Sequence, residues 1–462
     1  MITIDANNFA VIPFNQRLIK DKYLVSNFLG GWDFLSKEEF SVFNSFRIKS
    51  DTPLLNRLYE KGLLADEYNI KQLINKYRNL NSNLFHDTSL HIAVVTTKCN
   101  LACKYCQTKT RKADMNIKVA QRVLKCLFDV KNSSVTLELQ GGEPLLNWKI
   151  SKFLIENSRK LNNGQKNLKI ALVTNLTLLD DEKAKFLTDY DVDICVSFDG
   201  PQYLHDKNRI FSKNHGSFAS VIKNIEKLKE KFGKSVTLLP TITKGSLKYS
   251  KEIIDEYVRL GQRDIPLRPV NKLGNACVNW NDLGYTADEF MDFYRKAMDY
   301  ILKLNREGFF IRERMANVIL QKILCGKDAG YVEMMNPCGA GRAQIVYMPK
   351  GECFPCDEAR MLGTEEFLLG NILKQNYEEL MKNENLLYLL EMSVVNLWDG
   401  NSAFFPWTGT CPVLNYSSER NFVPKIHCSF MHKIYNFQFN YIFEKILESK
   451  ENLEIFKRWT NE

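Results

Sequence analysis

Short apolar runs alternate with amphipathic stretches through the middle of the chain. Six runs have the length and β-branched content of strands: HIAVVTT (91–97), VTLELQ (135–140), KIALVTN (169–175), DICVSFDG (193–200), VTLLPTIT (236–243) and IPLRPV (265–270). Segments with helical periodicity, such as IKVAQRVLKCLFDV, separate them. Six βα repeats predict an α/β fold in which a parallel sheet curves into a partial (β/α)6, TIM-like barrel over residues 91–325. Functional side chains are then expected at the carboxyl ends of the strands.

Both ends of the chain lack this alternation of strands and helices. In residues 1–90, KYLVSNFLGGWDFLS predicts a hairpin that turns at Gly30-Gly31, and two short helices follow, the first capped by Ser36. This small module is either a peptide-recognition element or a packing extension. After residue 325 the alternation stops, and residues 326–436 form a cysteine-rich extension. A final amphipathic helix is predicted over residues 437–462.

Composition places the chain among ordinary soluble proteins of two to three domains, with 462 residues, 45% hydrophobic and 25% charged. No apolar run reaches a membrane span and the N-terminus lacks the regions of a signal peptide, so we expect a cytoplasmic protein without membrane contact. The net charge of +9 comes from scattered lysines. It favours either solubility or a mildly basic surface for an acidic peptide. Nucleic acid is not expected, because no recognition motif accompanies the charge.

The strongest chemical signal is a CxxxCxxC run formed by Cys99, Cys103 and Cys106 directly after the first strand. Three thiolates at this spacing can bind three irons of a [4Fe–4S] cluster and leave the fourth iron open for a substrate or cofactor. A structural zinc site is the alternative, but it needs a fourth ligand nearby, and His91 and Cys126 are badly placed for that role. Twelve cysteines in a reducing compartment also indicate metal or redox chemistry rather than disulfides.

The chain resembles radical S-adenosylmethionine (SAM) enzymes with a C-terminal SPASM-type extension, and among them the maturases of the His-Xaa-Ser peptide-modification system. The resemblance rests on LHIAVVTTKCNLACKYCQ, LELQGGEPLLNW, VTNLTLL, VSFDGPQYLHDKNR, DEYVRLGQRDIPLRPV and GYVEMMNPCGAGRAQIVYMPKGECFPCDEARML. It implies a [4Fe–4S] cluster whose open iron binds SAM, and cleavage of SAM to a 5′-deoxyadenosyl radical. It also implies a flavodoxin or ferredoxin as electron donor, a precursor peptide as substrate, and, by resemblance only, a second maturase as partner.

Several residues at the predicted strand ends are expected to bind SAM. In GGEP, Gly141 and Gly142 allow close backbone approach to a ligand, and Glu143, followed by Pro144, could accept a hydrogen bond from the methionine ammonium. The polar residues Asn175, Ser197 and Asp199 suit ribose hydroxyls or the methionyl carboxylate, although each could instead cap a helix. The resemblance implies that Arg209 pairs with the methionyl carboxylate of SAM. The alternative is that Arg209 forms an ion pair on the surface. Tyr105 could pack on adenine or simply in the core.

The C-terminal cysteines only partly match the SPASM pattern. Cys338 followed by Gly351-(x4)-Cys356 fits its first part. Of the dense second part only Cys411 remains, because Asp399, Ser402 and Thr408 stand near the other cysteine positions, and Cys428 is isolated. We therefore expect no second auxiliary cluster. Four thiols could bind one auxiliary [4Fe–4S] cluster, could bind zinc, or could hold no metal at all. They are Cys338, Cys353, Cys356 and Cys411.

Two further residues are candidates for contact with the reacting substrate. The resemblance suggests Asp357, next to Cys356, as the base that takes a proton from a substrate radical, but CDEAR could equally pair it with Arg360 on the surface. Alternation directs Arg268 of the sixth run into the barrel, where it could bind substrate or SAM.

The favoured function is hydrogen abstraction from a ribosomally made peptide, giving a cross-link, an oxidation or an epimerisation. The alternatives are the same radical chemistry on a small molecule or a folded protein, and a non-catalytic iron–sulfur or zinc scaffold.

Overall fold

The computed structural model describes residues 9–48, 52–108, 112–213, 215–394, 402–409, 411–422 and 429–461. Its N-terminal part has five strands and three helices: β1 (Ala10–Val11), β2 (Phe14–Ile19), β3 (Lys22–Asn27), β4 (Trp32–Leu35), α1 (Lys37–Asn44), α2 (Pro53–Glu60), β5 (Leu64–Ala65) and α3 (Ile70–Leu80). Strands β2, β3 and β4 form an antiparallel sheet, and β3 and β4 are joined by the predicted turn at Gly30-Gly31. Ser36 begins α1 with the predicted cap, accepting a hydrogen bond from Glu39 N at 3.2 Å.

The central part alternates strands and helices as predicted. Its elements are β6 (Leu90–Thr96), α4 (Ile117–Asp129), β7 (Ser134–Gly141), α5 (Trp148–Asn162), β8 (Asn167–Thr174), α6 (Asp181–Asp189), β9 (Asp193–Ser197), α7 (Gln202–Asn208), α8 (Phe218–Phe232), β10 (Thr237–Leu239) and α9 (Ser250–Arg259). The five strands are parallel and adjacent in the order β10-β9-β8-β7-β6. Six of the seven residues of β6 are buried, as expected for a parallel strand covered on both faces.

The sixth predicted strand, 265–270, is much shorter than expected. Only β11 (Asp264–Ile265) is a strand, and it pairs in parallel with β12 (Arg312–Glu313). A single bridge between Ile242 and Pro269 attaches this segment to the edge of the main sheet. Pro266 and Pro269 have no backbone N–H to donate, so the apolar run cannot form a full hydrogen-bonded ladder.

The C-terminal extension continues the same sheet. Strand β13 (Gln344–Tyr347) pairs in parallel with β6, and β14 (Glu352–Phe354) and β15 (Gly370–Asn371) follow antiparallel, giving an eight-stranded sheet. The remaining helices are α10 (Asn275–Val278), α11 (Trp280–Leu283), α12 (Ala287–Arg306), α13 (Arg314–Cys325), α14 (Asp357–Leu362), α15 (Tyr377–Met381), α16 (Glu384–Val394), α17 (Pro412–Glu419), α18 (Phe430–Glu448) and α19 (Lys450–Asn461).

The C-terminal segment forms two helices rather than the single one predicted. Ser449 is extended, with φ −158° and ψ 150°, and separates α18 from α19. Both helices pack against the barrel helices α12 and α13, where Trp459 is fully buried. The N-terminal sheet rests on the same region, because Trp32 Nε1 donates to Ile323 O at 2.7 Å and its ring lies 5.1 Å from that of Phe443. Among the described helices, none is both long and apolar enough to cross a membrane.

His91 gives the fold a pH-sensitive contact. Its ring is fully buried, with Nδ1 2.9 Å from Tyr347 Oη and Nε2 3.2 Å from Thr88 O. Burial lowers the pKa of His91 to about 4 from 6.5. The unfolded chain therefore takes up a proton at this residue between those pH values while the folded chain does not.

We predict that stability is lost as the pH falls from 6.5 to 4, and that His91 accounts for about 3 kcal/mol of this loss. Urea unfolding followed by circular dichroism across this range should show a smaller loss for His91→Gln than for the wild type. The exposed His86→Gln serves as the control and should follow the wild type. Parallel pH profiles for wild type and His91→Gln would contradict the prediction.

Candidate active site

A cavity of about 410 Å³ opens at the carboxyl ends of the central strands. The ends of β7, β8 and β9 contribute Gly141, Gly142, Asn175 and Ser197 to its wall. The cysteine loop after β6 closes one side, and the start of α14 from the C-terminal extension closes another. The cavity therefore lies where parallel α/β sheets place their functional side chains.

All three cysteines of the CxxxCxxC run line this cavity, and each is partly exposed. Cys99 Sγ accepts hydrogen bonds from Leu101 N at 3.4 Å and from Asn175 Nδ2 at 3.7 Å. Burial raises the pKa of Cys99 to about 11 and that of Cys103 to about 12, so without metal these thiols stay protonated. A bound metal group would supply the positive charge that thiolates need.

The described part of the chain contains no group of three or more His, Cys, Asp or Glu side chains placed to hold a single metal ion. A [4Fe–4S] cluster needs a wider arrangement, because each thiolate binds a different iron. Three thiols that surround one end of a cavity, with one of them held by an amide donor from the neighbouring strand end, fit that requirement.

Gly141 and Gly142 lie so close to the backbone before the cysteine loop that no side chain fits at either position. A Cβ atom on Gly141 would lie 2.2 Å from Thr96 O, and one on Gly142 would lie 2.2 Å from Lys98 O. Gly142 N donates to Thr96 O and Glu143 N to Lys98 O, both at 2.8 Å. These contacts fix the residues immediately before Cys99, so the two glycines set the position of the cysteine loop.

Glu143, which was expected to contact the methionine ammonium, is not among the residues that line the cavity. It is fully buried and accepts hydrogen bonds from Thr174 Oγ1 (2.7 Å), Asn175 N (2.7 Å) and Leu145 N (3.0 Å). Burial raises the pKa of Glu143 to about 7. Glu143 therefore ties the end of β7 to the end of β8. Pro144 is also buried, at the start of a short 3-10 turn.

Asp199, Arg209 and Tyr105 form one buried network behind the cysteine loop. Arg209 Nη2 lies 3.1 Å from Asp199 Oδ1, and the Tyr105 hydroxyl donates to Asp199 Oδ2. The Arg209 guanidinium also lies over the Tyr105 ring, 5.2 Å from its centre. Asp199 Oδ1 accepts from Thr241 N at 3.0 Å as well. The Asp199 carboxylate therefore accepts hydrogen bonds from the protein itself and does not line the cavity. Arg209 and Tyr105, in contrast, do line it.

Arg209 has one side-chain donor without a partner among the described residues. Its Nε is buried and has no hydrogen-bond partner among the residues that the structure describes. A buried guanidinium N–H without a partner is costly unless a ligand or water satisfies it. Together with the half-buried Ser197, this donor matches the polar groups of a carboxylate-bearing cofactor such as SAM.

Both residues predicted to contact substrate, Arg268 and Asp357, also line the cavity. Asp357 Oδ1 accepts from Arg360 Nε at 2.6 Å, and Arg360 Nη2 donates to Gln140 Oε1 at 2.6 Å. The ion pair between Asp357 and Arg360 therefore exists, but it lies inside the cavity wall, because Arg360 is buried.

The structure groups three of the four C-terminal thiols. Cys338 and Cys356 are buried and pack with Cys411 in one hydrophobic cluster, and the nearby Cys338 and Cys411 thiols contribute to raising the pKa of Cys356. Cys353 is placed elsewhere, in the main core on the other face of β14, where Cys126 is its neighbour. The period of two along a strand separates Cys353 from Phe354, which belongs to the thiol cluster.

Three residues stand near the missing cysteine positions of the SPASM pattern, and the structure describes two of them, Ser402 and Thr408. Thr408 is buried, and Ser402 accepts a hydrogen bond from Phe404 N at 3.2 Å through its hydroxyl. Asp399 and Cys428 lie outside the described residues.

A buried carboxyl pair, Glu333 and Glu358, lies beside these thiols and was not predicted from the sequence. Glu333 Oε2 accepts from Tyr331 Oη at 2.6 Å and from Tyr435 Oη at 2.9 Å. Burial and the Glu333 charge raise the pKa of Glu358 well above its usual range, so Glu358 keeps its proton. Arg314 and Glu138 on the cavity wall were also missed. In the sequence they lie in an ordinary helix start and an ordinary alternating strand, which carry no motif.

We predict that Gly142→Ala displaces the cysteine loop, because the new Cβ would overlap Lys98 O. The variant should fold but retain less than half of the wild-type iron after anaerobic reconstitution, measured together with sulfide. Gly245→Ala is the matched control, since a Cβ there meets first the flexible end of Lys207, at 3.2 Å. Full iron content in Gly142→Ala would contradict the role given to this contact.

Comparison with known proteins agrees with this geometry. The Radical SAM superfamily model matches residues 93–261. The radical SAM cyclopropyl synthase TigE of Paramaledivibacter caminithermalis is 24% identical over 384 residues, covering 78% of this chain and 75% of TigE. The cysteine-type anaerobic sulfatase-maturating enzyme of Clostridium perfringens is 28% identical over 312 residues, covering 64% of this chain and 81% of that enzyme.

The fold is similar to a solved structure with both a cofactor and a peptide bound. Native anSMEcpe with bound S-adenosylmethionine and the Cp18Cys peptide superimposes with a TM-score of 0.68 at 22% identity, covering 81% of this chain and all of that one. Residues 93–261, which carry the cysteine loop and most of the strand ends around the cavity, thus match the Radical SAM superfamily, and the chain is similar to proteins named as maturases.

Proposed function

We propose that this protein is a peptide maturase that abstracts a hydrogen atom from a ribosomally made precursor peptide, giving a cross-link, an oxidation or an epimerisation. The observation that carries the proposal is the placement of Cys99, Cys103 and Cys106 around one end of a cavity that is also large enough for a substrate residue. Relatives named as maturases and a similar fold with a bound peptide support the substrate class.

The cofactor proposed for this site is a [4Fe–4S] cluster bound with SAM. Cys99, Cys103 and Cys106 would hold the cluster, and Ser197 and Arg209 would contact SAM. When bound, this pair supplies one-electron cleavage of SAM to a 5′-deoxyadenosyl radical. The protein's part is to bind and orient: Gly141 and Gly142 fix the loop, and Asn175 Nδ2 directs its amide to Cys99 Sγ. Flavodoxin or ferredoxin is the proposed electron donor, and the cytoplasm the proposed location.

An auxiliary metal group is proposed at the C-terminal thiols. Cys338, Cys356 and Cys411 are its ligands, and Cys353 is left out because it lies on the other face of β14. An iron–sulfur cluster there would accept an electron from the substrate or anchor it, whereas zinc could only anchor it. The continuous sheet places these thiols beside the wall of the same cavity, since Glu358, which lines it, affects the pKa of all three.

Asp357 is proposed to receive the proton that the substrate loses on oxidation. Its carboxylate lines the cavity, and its ion pair with Arg360 holds one oxygen in place. Arg360 is in turn held by Gln140 on β7, so the position of Asp357 is tied to the central sheet.

Residues 1–90 are proposed to recognise the part of the peptide that lies outside the cavity. Residues 91–325 are proposed to form the radical SAM domain and residues 326–436 the auxiliary domain. Residues 437–462 form the C-terminal helical segment of this proposed organisation. The N-terminal module exposes large side chains that its own core does not use. Tyr68 is 80% exposed, Phe85 53% and Phe28 48%. Exposed aromatic side chains of this kind are typical of binding surfaces. A second maturase as partner remains part of the proposal.

We predict that the reconstituted protein, supplied anaerobically with dithionite and SAM, forms 5′-deoxyadenosine. Cys99→Ala should abolish the product, because one iron loses its thiolate ligand. Cys277→Ala should leave it unchanged, since Cys277 is exposed and does not line the cavity. Liquid chromatography measures the product directly. Absence of 5′-deoxyadenosine from fully reconstituted wild-type protein would support a non-catalytic scaffold instead.

We also predict different metal contents for two neighbouring cysteine variants. Wild-type protein should hold about eight irons, and Cys356→Ala about four. Cys353→Ala should stay near eight, because the structure places this thiol away from the other three. Equal iron loss in both variants would return Cys353 to the ligand set. Four irons in the wild type, with zinc lost from Cys356→Ala, would identify the C-terminal site as a zinc site.

A further inference from the structure

Two arginines on the cavity wall form no direct ion pair with the described residues. Arg268 and Arg314 both line the cavity. Among the described residues, neither guanidinium has a side-chain hydrogen bond, and no carboxylate oxygen lies within 4.0 Å of either. Arg268 is half-buried and interacts at longer range with Glu333, Glu358 and Asp357, and Arg314 is exposed. Guanidinium groups without a direct ion pair keep their hydrogen-bond donors available for an anion that enters the cavity.

The backbone beneath these arginines is fixed by one buried carboxylate. Glu313 is fully buried and caps α13, accepting from Ala316 N at 2.6 Å. The same oxygen, Oε2, accepts from Tyr294 Oη at 2.8 Å, and Oε1 accepts from Leu267 N at 3.1 Å. Glu313 therefore joins the residue before Arg268 to the helix that begins at Arg314.

The Arg268 segment is further restrained from the sheet side. Ile242 N donates to Arg268 O at 2.9 Å, and Pro269 forms the single bridge to Ile242. Pro266 and Pro269 flank the segment and restrict its backbone. The two arginines are thus presented from a rigid base, which reduces the entropy lost when they bind a ligand.

Three of the four carboxyl side chains on this wall accept hydrogen bonds from the protein. Asp357 pairs with Arg360, and Glu138 accepts a hydrogen bond from the Gln140 amide. Glu333 Oε2 accepts from two tyrosine hydroxyls, whereas its Oε1 has no hydrogen-bond partner among the described residues. Of the arginines that line the cavity in the described part of the chain, Arg268 and Arg314 are the two that form no direct ion pair.

We propose that Arg268 and Arg314 bind a carboxylate of the peptide substrate, next to the carbon from which hydrogen is taken. This inference rests on the proposed function, since it concerns the same cavity. The carboxylate of SAM is a second source of the same chemistry. We assign the carboxylate of SAM to Arg209 instead, because Arg209 lies close to Cys103 and its Nε has no hydrogen-bond partner among the described residues.

The test uses anaerobically reconstituted full-length protein saturated with SAM, so that the carboxylate of SAM occupies its own site. The probes are acetyl-Gly-Gly-Asp-Gly-Gly-amide, its Asn counterpart, and the Asn peptide with a free carboxyl terminus. Their dissociation constants are measured by saturation-transfer NMR. We expect at least one carboxylate-bearing probe to bind about tenfold more tightly than the amide-capped Asn peptide. Arg268→Gln and Arg314→Gln should each remove most of that difference, and Arg268→Lys should retain part of it.

Arg259→Gln is the control for a general change in charge, because Arg259 pairs with Glu256 on a helix remote from the cavity wall. SAM affinity should stay within twofold of wild type in every arginine variant. Equal binding of all probes by the wild type would overturn the proposal, as would unchanged selectivity in both Gln variants. A fivefold loss of SAM affinity in Arg268→Gln would assign the arginines to SAM instead. Formation of 5′-deoxyadenosine, measured on the same samples, tests the proposed function separately.

Discussion

The buried carboxylate of Asp199 is the interaction on which the site depends most. The cysteine loop has no regular secondary structure, so its shape comes from outside contacts. Asp199, just beyond the end of β9, binds Tyr105 in the loop, Arg209 after α7 and the backbone of Thr241 after β10. A buried charge with all these partners resists displacement, because removing one partner leaves an uncompensated charge. The loop is thereby tied to three separate parts of the barrel.

The second constraint is continuity of the sheet. Strand β13 pairs with β6, the strand that leads into the cysteine loop, so the C-terminal extension has a fixed position relative to the central strands. The hairpin of β13 and β14 then delivers Asp357 and Glu358, which follow Cys356 directly, to the cavity wall. Cys99, Cys103 and Cys106 line the cavity themselves, whereas the C-terminal thiols lie behind the wall that Glu358 forms. The proposed function uses both groups in one reaction because this wall separates them.

Much of the architecture could be predicted from the sequence, because it follows from local patterns. Apolar runs with β-branched residues identified five parallel strands, and their C-terminal ends indicated where the cavity would lie. The prediction of a full sixth strand was wrong because hydrophobicity does not reveal which backbone N–H groups are available. Pro266 and Pro269 supply none. Spacing likewise grouped Cys353 with Cys356, but β14 directs Cys353 into the main core, whereas Phe354 and, beyond the strand, Cys356 belong to the second hydrophobic cluster. Glu143 was expected to face the ligand, whereas the structure engages it with three internal donors. Arg314 could not be identified from sequence, since its placement depends on the nonlocal contact between Glu313 and Leu267.

The most direct measurement is an iron anomalous-difference map from crystals of the anaerobically reconstituted protein. The structure predicts one peak against Cys99, Cys103 and Cys106 and a second against Cys338, Cys356 and Cys411, with none beside Cys353. A first peak in that place would establish the cavity as the site of radical formation. The absence of iron at Cys99, Cys103 and Cys106 in protein that has bound iron elsewhere would contradict the central claim.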